Sequence, residues 1–350
     1  MKTFLKPLLL AVAVAGLAYP ATPFAMDYVT HVMTLVMVYM VLAMGLNIVP
    51  GFCGLLDLGF VGFYGIGAYT SGLLTVHLGL SFWIIVPLAA LNGALWGILL
   101  GAPTLRLTGD YFAIVTFGFS ELVVLFLTNE IWLTRGPLGL PGIDPAGFDL
   151  RWLHEGLYWE FTSEWAYFYL AVAMVAMVYF IMRRLEDSRL GRAWFAIRED
   201  PLAAASCGVD ILTYKVIAFA ISAAIGAVGG AFFARWTLFL SPDMFKFWES
   251  FLVLCMVVLG GLGNINGALI GAVILVSLGE FLRGVLEQLG LPPETRFLFY
   301  GLIMVLMMRF RPSGFFPGIA ASGKSNPLLL ALQKRLDAMD PHGETNGTDS

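Results

Sequence analysis

Charged side chains are scarce in this chain of 350 residues, where Asp, Glu, Lys and Arg together make up only 13%. A soluble domain carries about 25% charged residues. Hydrophobic residues make up 59% of the chain, which is more apolar surface than a single globule of this size can bury. The composition therefore excludes a soluble enzyme and predicts a membrane protein.

Cysteine and histidine are too few and too scattered for a disulfide framework or a metal site. The chain has 3 cysteines, far apart and in apolar or helical surroundings, and 4 histidines without an H-E-x-x-H motif. No G-x-S-x-G nucleophile motif occurs either. The net charge is −4 and the basic residues lie in short loops, so no face suited to nucleic acid is expected. We predict no catalytic residue, no metal, no cofactor and no nucleic-acid partner.

Apolar runs account for most of the chain, and a membrane-spanning helix needs about 20 residues. The predicted spans are 7–24, 29–50, 60–76, 82–103, 111–130, 166–182, 211–235, 249–262, 267–286 and 296–310. We therefore predict an all-α polytopic membrane protein with about ten transmembrane helices. The first helix, within residues 1–26, follows Lys2 and Lys6 and resembles a secretory signal, but we expect it to remain uncleaved.

Basic residues give the expected orientation. Placing the N-terminus in the cytoplasm leaves the acidic segment 131–165 outside and most of the 20 basic residues inside, as the positive-inside rule requires. We predict that both termini are cytoplasmic and that a membrane-spanning core at 27–317 precedes a polar cytoplasmic tail at 318–350. The basic residues placed inside are Lys2, Lys6, Arg106, Arg183, Arg184, Arg189, Arg192, Arg198, Lys215, Arg309, Arg311, Lys324, Lys334 and Arg335.

The tail contains a phosphate-loop pattern, Gly318–Ser325, which matches G-x-x-x-x-G-K-[ST]. That pattern binds phosphate only between a β-strand and a helix. A Phe-Phe-Pro sequence precedes it, and too few residues follow for a nucleotide-binding domain. We interpret the match as a coincidence.

Glycine is abundant, with 39 residues, and much of it lies inside the predicted spans. Glycines at intervals of four put small residues on one helix face and let helices approach closely. Such stripes are Gly93-Gly97-Gly101, Gly226-Gly230 and Gly263-Gly267-Gly271.

Two glycine-rich clusters, Pro50–Gly59 and Gly260–Gly267, interrupt apolar stretches. Broken helices at membrane depth line cavities or are buried in protein, and paired breaks are typical of a transport pathway. The alternative is a pair of tight cytoplasmic turns between hairpin helices. The sequence leaves both interpretations open.

Two carboxylates fall within predicted spans, at Glu121 and Glu280. A charged group there must face the protein interior, pair with another group or be protonated. A proton relay is one role, and a structural hydrogen bond to a neighbouring helix is the other. We favour the hydrogen bond for Glu121 and leave both roles open for Glu280.

The loop 184–210 predicts a short helix outside the membrane. Pro201 suits the first helical turn, Asp200 suits its N-cap, and Gly208 suits a left-handed C-terminal residue. The helix carries small alanines, which favours docking into a groove of another protein. This loop resembles the coupling loop of ABC importers, although Glu199 is separated from Ala203 by three residues where the general pattern is Glu-Ala-Ala-x-x-x-Gly.

Further motifs make the resemblance specific. They are 51–70, 105–116, 134–139, 241–245, 257–263 and 311–314. In order and spacing they resemble the permease family that imports branched-chain amino acids, in particular its M-type subunits, over about residues 45–315. The chain departs from that pattern at Asp57, where relatives often carry an uncharged residue, and in its extended tail.

The resemblance implies a ten-helix permease of the type II ABC importer class in the inner membrane. It implies a homologous permease subunit as heterodimer partner, two cytoplasmic ABC ATPase subunits that hydrolyse ATP, and a periplasmic substrate-binding protein. The implied substrates are leucine, isoleucine and valine. Related importers for urea, short amides or aromatic acids are the first alternative, and an ion-coupled secondary transporter is the second.

Two sets of residues follow from the breaks and the resemblance. The expected substrate pathway comprises Gly51, Gly54, Asp57, Gly59, Gly62, Gly65, Gly67, Tyr69, Glu121, Thr134, Gly136 and Asn264. The expected ATPase-coupling set comprises Gly191, Arg192, Arg198, Glu199, Asp200, Ala203, Ala204 and Gly208.

Overall fold

A computed structural model describes residues 27–104, 110–149, 158–160, 163–311 and 314–316. The predicted first helix (1–26), Arg106, and the tail 318–350 with its phosphate-loop pattern lie outside the described residues. The helices are α1 (Asp27–Leu46), α2 (Phe60–Leu78), α3 (Phe82–Thr104), α4 (Asp110–Asn129), α5 (Ile131–Thr134), α6 (Glu164–Asp187), α7 (Arg189–Glu199), α8 (Pro201–Ser206), α9 (Ile211–Thr237), α10 (Phe247–Gly260), α11 (Ile265–Gln288) and α12 (Arg296–Phe310).

Each of the nine apolar runs after the first coincides with a helix, and the all-α prediction is confirmed. Within the part of the chain that the structure describes, six helical segments are long and apolar enough to cross a membrane. They are Asp27–Phe52, Phe82–Thr104, Tyr111–Asn129, Glu164–Asp187, Ile211–Thr237 and Ile265–Gln288. Helix α10 has 14 residues and α12 has 15, fewer than the roughly 20 of a straight span.

Helix α9 lies at the centre of the bundle, packed along α2 and α3. Glycines make this packing close: a Cβ at Gly93 would lie 2.5 Å from the Ala227 Cβ, and a Cβ at Gly97 would lie 2.8 Å from the Ala223 Cβ. On the other side of α9, Gly230 rests against the Tyr64 carbonyl of α2. The structure confirms that these stripes serve close helix packing.

The remaining elements are short. Strand β1 (Leu140–Pro141) pairs antiparallel with β4 (Phe239–Leu240), and β2 (Gly147–Asp149) pairs with β3 (Tyr158–Glu160). A 3-10 turn at Gly136–Leu138 follows α5, and others lie at Pro242–Phe245 and Pro293–Thr295. The pairing of β1 with β4 joins the chain after α4 to the chain after α9.

A buried arginine that sequence reasoning missed organises this end of the bundle. Arg235 of α9 is 3% exposed, and its guanidinium donates to the carbonyls of Asp144 at 2.8 Å and Leu80 at 2.6 Å. The Tyr167 hydroxyl donates to the Arg235 carbonyl at 2.9 Å. Arg235 therefore ties two loops to α9 through hydrogen bonds from its guanidinium to backbone carbonyls.

Candidate transport and coupling site

The first glycine cluster begins with a π-helical turn, Ile48–Phe52, that ends α1. Pro50 lacks a backbone N–H and cannot continue a regular helical ladder. The Gly51 N–H donates to the Asn47 carbonyl at 3.0 Å, and an irregular stretch then leads to α2 at Phe60. Such π-turns are frequent at functional sites.

The second glycine cluster is the turn between α10 and α11. Gly261 and Gly263 have positive φ angles of 116° and 82°, which other residues rarely adopt. Asn264 caps α11 by accepting the Gly267 N–H at 3.2 Å. Gly260 and Gly267 bring the two helices into backbone contact.

The two clusters lie against each other. The Asn47 side-chain oxygen accepts the Gly263 N–H at 3.0 Å, and a Cβ at Gly51 would lie only 2.7 Å from the Gly263 nitrogen. We call this contact of the Ile48–Phe52 turn with the Gly261–Asn264 turn the junction. It brings Gly51, Gly54 and Asn264 of the expected pathway into one region.

The loop 184–210 folds as two short helices, α7 and α8. Asp200 caps α8 by accepting the N–H groups of Leu202 at 2.8 Å and Ala203 at 3.1 Å, and Pro201 opens the helix. Gly208 has a φ of 84°. The N-cap, the proline position and the left-handed glycine are thus confirmed.

Helix α7 is anchored to the membrane helices by aromatic residues. Trp194 is fully buried and donates its indole N–H to the Tyr214 carbonyl of α9 at 2.8 Å. The Phe195 ring lies 5.1 Å from the Phe52 ring of the π-turn. Gly191 is buried where α7 meets the carbonyl groups at the end of α6, with no room for a Cβ. Helix α7 is therefore held against the junction.

Arg198, near the end of α7, makes the contact with the junction itself. Its guanidinium donates to the Gly51 carbonyl. Its aliphatic stem passes Gly54, where a Cβ would lie 3.1 Å from the Arg198 Cγ. Arg198 thus joins the expected coupling set to the expected pathway set.

The other coupling residues divide by exposure. Arg192, Glu199, Asp200, Ala203 and Gly208 are exposed. Ala204 is not: it is 4% exposed and faces its own chain. The expectation that Ala204 belongs to the docking face is therefore wrong, because the one-turn helix turns that side inward and presents Leu202, which is 81% exposed, and Ala203.

Asp57 lies in the connection between α1 and α2 and is only 1% exposed. One carboxylate oxygen accepts the Gly59 N–H at 2.8 Å, and the other has no hydrogen-bond partner among the described residues. Burial raises the pKa of the Asp57 carboxyl to about 6, because desolvation penalises the charged form.

The remaining pathway residues do not join the junction as one site. Gly59 packs on the Thr116 carbonyl, while Gly62, Gly65 and Gly67 let α2 pack closely on α4, Phe245 and α9. Tyr69 is buried beside Phe245, with ring centroids 5.9 Å apart. Thr134 and Gly136 form the turn after α4, where the Thr134 hydroxyl donates to the Leu127 carbonyl at 2.6 Å. Leu127 is about 16 Å along α4 from Thr116 at a rise of about 1.5 Å per residue.

The two carboxylates within spans have different environments. Glu280 accepts a hydrogen bond from the Tyr28 hydroxyl of α1 at 2.8 Å, which is an interhelical hydrogen bond of the kind considered for it. Glu121 is exposed on the surface of the chain and makes no hydrogen bond with the described residues. The interhelical bond expected for Glu121 is therefore wrong within this part of the chain.

Sequence reasoning also missed Glu249, in the first turn of α10. The Tyr39 hydroxyl of α1 donates to Glu249 at 2.6 Å, and the next residue, Ser250, accepts the Val61 N–H of α2 at 3.1 Å. The position of Glu249 at the start of a predicted span was the sequence signal that could have identified this residue. Among the described residues no cluster of His, Cys, Asp and Glu is suited to a metal ion.

Comparison with known proteins identifies the family of this chain. The family model of the branched-chain amino acid transport system permease component matches residues 28–308. The chain belongs to this permease family. The match spans α1 to α12 almost completely, including the junction and the α7–α8 segment, and the chain is accordingly a multi-pass membrane protein and a transport component rather than an enzyme.

Curated relatives agree with the family model. The chain is 41% identical over 328 residues to the high-affinity branched-chain amino acid transport system permease protein LivM of Escherichia coli K12, covering 89% of this chain and 75% of the relative. It is 42% identical over 299 residues to LivM of Salmonella typhimurium, covering 81% and 69%. It is also 27% identical over 304 residues to the permease protein LivH of Escherichia coli K12, covering 80% and 92%. No solved structure matches significantly.

Proposed function

We propose that this permease is the membrane-spanning subunit of an ATP-driven importer that moves leucine, isoleucine and valine into the cytoplasm. One observation carries the proposal: the α7–α8 segment, outside the long apolar helices, contacts a junction of two broken helices through Arg198. A subunit that receives mechanical work from a partner needs such a contact between its docking segment and its pathway.

The proposal places the chain in the inner membrane with both termini and the α7–α8 segment in the cytoplasm. The abundance of basic residues around α7 supports this orientation. About ten transmembrane helices of the type II importer class would then form the core at 27–317, with the coupling loop at 184–210 and the polar tail at 318–350. The junction would lie towards the cytoplasmic side.

A homologous permease subunit is the proposed partner within the membrane. Glu121 lies on an exposed face of α4 together with Ile114 and Leu125. A carboxylate facing lipid near the middle of a helix costs on the order of 2.5–3.5 kcal/mol, so this face needs a protein cover. That the chain resembles both LivM and LivH proteins supports a pair of related but different permeases.

Energy and substrate delivery come from the remaining proposed partners, two cytoplasmic ABC ATPases and a periplasmic substrate-binding protein. Leu202 and Ala203 of α8 offer an exposed apolar knob for an ATPase groove. The ATPases would act on α8, and α7 would carry the motion to the junction.

The test is uptake by proteoliposomes that contain the whole complex and its binding protein. We expect uptake of labelled leucine, isoleucine and valine only with hydrolysable ATP on the ATPase side. Preferred uptake of urea, short amides or aromatic acids would move the substrate assignment to a related importer. Uptake driven by a proton or sodium gradient without ATP would show a secondary transporter instead.

A further inference from the structure

We infer that Arg198 is the positioning residue that transmits displacement of the α7–α8 segment to the junction of the two broken helices. The inference rests on the proposed function and adds the route by which the coupling segment acts. It assigns to one side chain the link between 184–210 and the π-turn.

Three glycines from two separate breaks surround the Arg198 side chain. A Cβ at Gly54 would lie 3.1 Å from the Arg198 Cγ, and a Cβ at Gly263 would lie 2.7 Å from an Arg198 guanidinium nitrogen. The Gly51 carbonyl accepts the hydrogen bond. Since both breaks contribute glycine at this point, the absent side chains leave a slot that the arginine fills.

The acceptor of the Arg198 hydrogen bond, the Gly51 carbonyl, suits a cationic donor. Gly51 lies at the carboxyl end of the α1 segment, where carbonyl groups lack helical partners and the helix dipole favours a cation. A charged donor makes a stronger hydrogen bond than a neutral one. The guanidinium is therefore held by the helix end itself.

Arg198 contacts the junction directly. Arg198 makes no salt bridge with a carboxylate among the described residues, so its charge is directed to the backbone of the junction. The junction is also closed on itself, because Asn47 accepts the Gly263 N–H at 3.0 Å. A shift of Arg198 consequently displaces Gly51. It also displaces Gly263, because the Gly51 backbone packs against the Gly263 nitrogen.

Helix α7 is anchored to α9. Trp194 fixes the middle of the helix to α9 through the Tyr214 carbonyl at 2.8 Å. Arg198 lies one helical turn further on, and Asp200 begins α8 two residues later. Arg198 is thus between the anchor and the proposed ATPase contact, where a tilt of α8 produces movement.

The main experiment measures coupling in proteoliposomes that contain the full complex, comparing Arg198→Ala and Arg198→Lys with wild type. We expect Arg198→Ala to keep ATP hydrolysis within about twofold while uptake falls about tenfold, the size of effect expected for one hydrogen bond to a charged group. The ATP hydrolysed per amino acid transported would rise accordingly. Arg198→Lys should be intermediate, because an ammonium keeps the charge but loses the planar fork.

Arg189→Ala is the matched control. Arg189 is the first residue of the same helix, is exposed, and does not belong to the expected coupling set. We expect this variant to leave both hydrolysis and uptake unchanged. Equal losses of hydrolysis and uptake in Arg198→Ala, or no loss of either, would overturn the inference.

A second measurement needs no substrate and separates this inference from the proposed function. Spin labels on the exposed native Cys207 and on Leu56→Cys, which is exposed after the π-turn, report the distance between the α8 end and the break. We expect one narrow distance distribution in wild type and in Arg189→Ala, and a broadened one in Arg198→Ala. An unchanged distribution in Arg198→Ala would refute the link even if transport is confirmed. A broadened one would support it even if the transported substrate proves to be different.

Discussion

Asn47 accepts the backbone N–H of Gly263 at 3.0 Å across 216 residues of sequence. Both groups are buried, and the hydrogen bond closes the junction between the π-turn and the α10–α11 turn. A buried N–H without an acceptor costs about 1–3 kcal/mol. The amide of Asn47 is therefore a structural requirement for holding two interrupted helices together.

Replacing Asn47 by Ala should accordingly destabilise the protein by about 1–3 kcal/mol and lower the thermal midpoint of the purified complex. The matched control is Asn129→Ala, because Asn129 is exposed at the end of α4. The measurement is thermal unfolding followed by intrinsic fluorescence in detergent. Equal midpoints for the two variants would contradict the role given to Asn47.

Asp57→Asn should stabilise the protein at neutral and alkaline pH. Burial raises the pKa of Asp57 to about 6 from 3.8, so the protonated form stabilises the folded state at low pH and this contribution is lost as the pH rises through about 6. Asparagine keeps an acceptor for the Gly59 N–H without the buried charge. We expect a gain on the order of 2–3 kcal/mol at pH 8.

The same thermal unfolding assay, run between about pH 5 and pH 8, checks this prediction for Asp57. Wild type should lose stability across that interval relative to Asp57→Asn. Parallel curves would show that Asp57 does not titrate there. Asp187→Asn, a change at the end of α6, serves as a control for the removal of one negative charge.

Gly208→Val should impair coupling through backbone strain alone. The φ of 84° is unfavourable for a β-branched residue, with a cost of about 1–3 kcal/mol, whereas no atom lies within 4 Å of a Cβ placed there. Gly208→Asn should be much milder, because asparagine tolerates the left-handed region. Substrate-stimulated ATP hydrolysis and uptake in proteoliposomes measure the difference. Equal activity of Gly208→Val and wild type would show that the end of α8 does not need this conformation.

The topology prediction concerns single cysteines at Asp149 and Ser188 in a protein whose native cysteines are replaced. With the basic α6–α7 region inside the cell, an impermeant thiol reagent should label the cysteine at 149 in intact spheroplasts. It should label the cysteine at 188 only after the membrane is permeabilised. Labelling of both in intact cells would overturn the proposed orientation.

Local features of the sequence predicted local structure well. The lengths of the apolar runs predicted the helices, and Asp200 and Pro201 predicted the start of α8. The glycine stripes predicted the close packing of α9. Each of these depends on residues within one helix or on a small side chain that any neighbour exploits. Hydropathy and capping rules operate at that range.

Contacts between distant segments were beyond these rules. Nothing within the helical pattern of α7 indicates that Arg198 reaches Gly51, and nothing near Arg235 indicates carbonyl acceptors at Asp144 and Leu80. The two glycine clusters were recognisable as breaks, but their contact through Asn47 depends on how α1, α10 and α11 pack. The one-turn helix α8 was also too short for its buried side to be read from spacing, which is why Ala204 was misplaced.

The corrected orientation of α8 gives a paired prediction for Ala203 and Ala204. Ala203 is exposed, so Ala203→Trp should leave this subunit folded and hinder docking of the ATPase by its bulk. Ala204 is 4% exposed, so Ala204→Trp should overpack the contact of α8 with its own chain, at a cost of about 1–3 kcal/mol. Co-purification of the ATPase and the thermal midpoint of the subunit separate these effects. Ala203→Trp should lower the amount of co-purified ATPase without lowering the thermal midpoint. Ala204→Trp should lower the thermal midpoint. Normal ATPase binding and uptake by Ala203→Trp would show that the ATPase docks elsewhere.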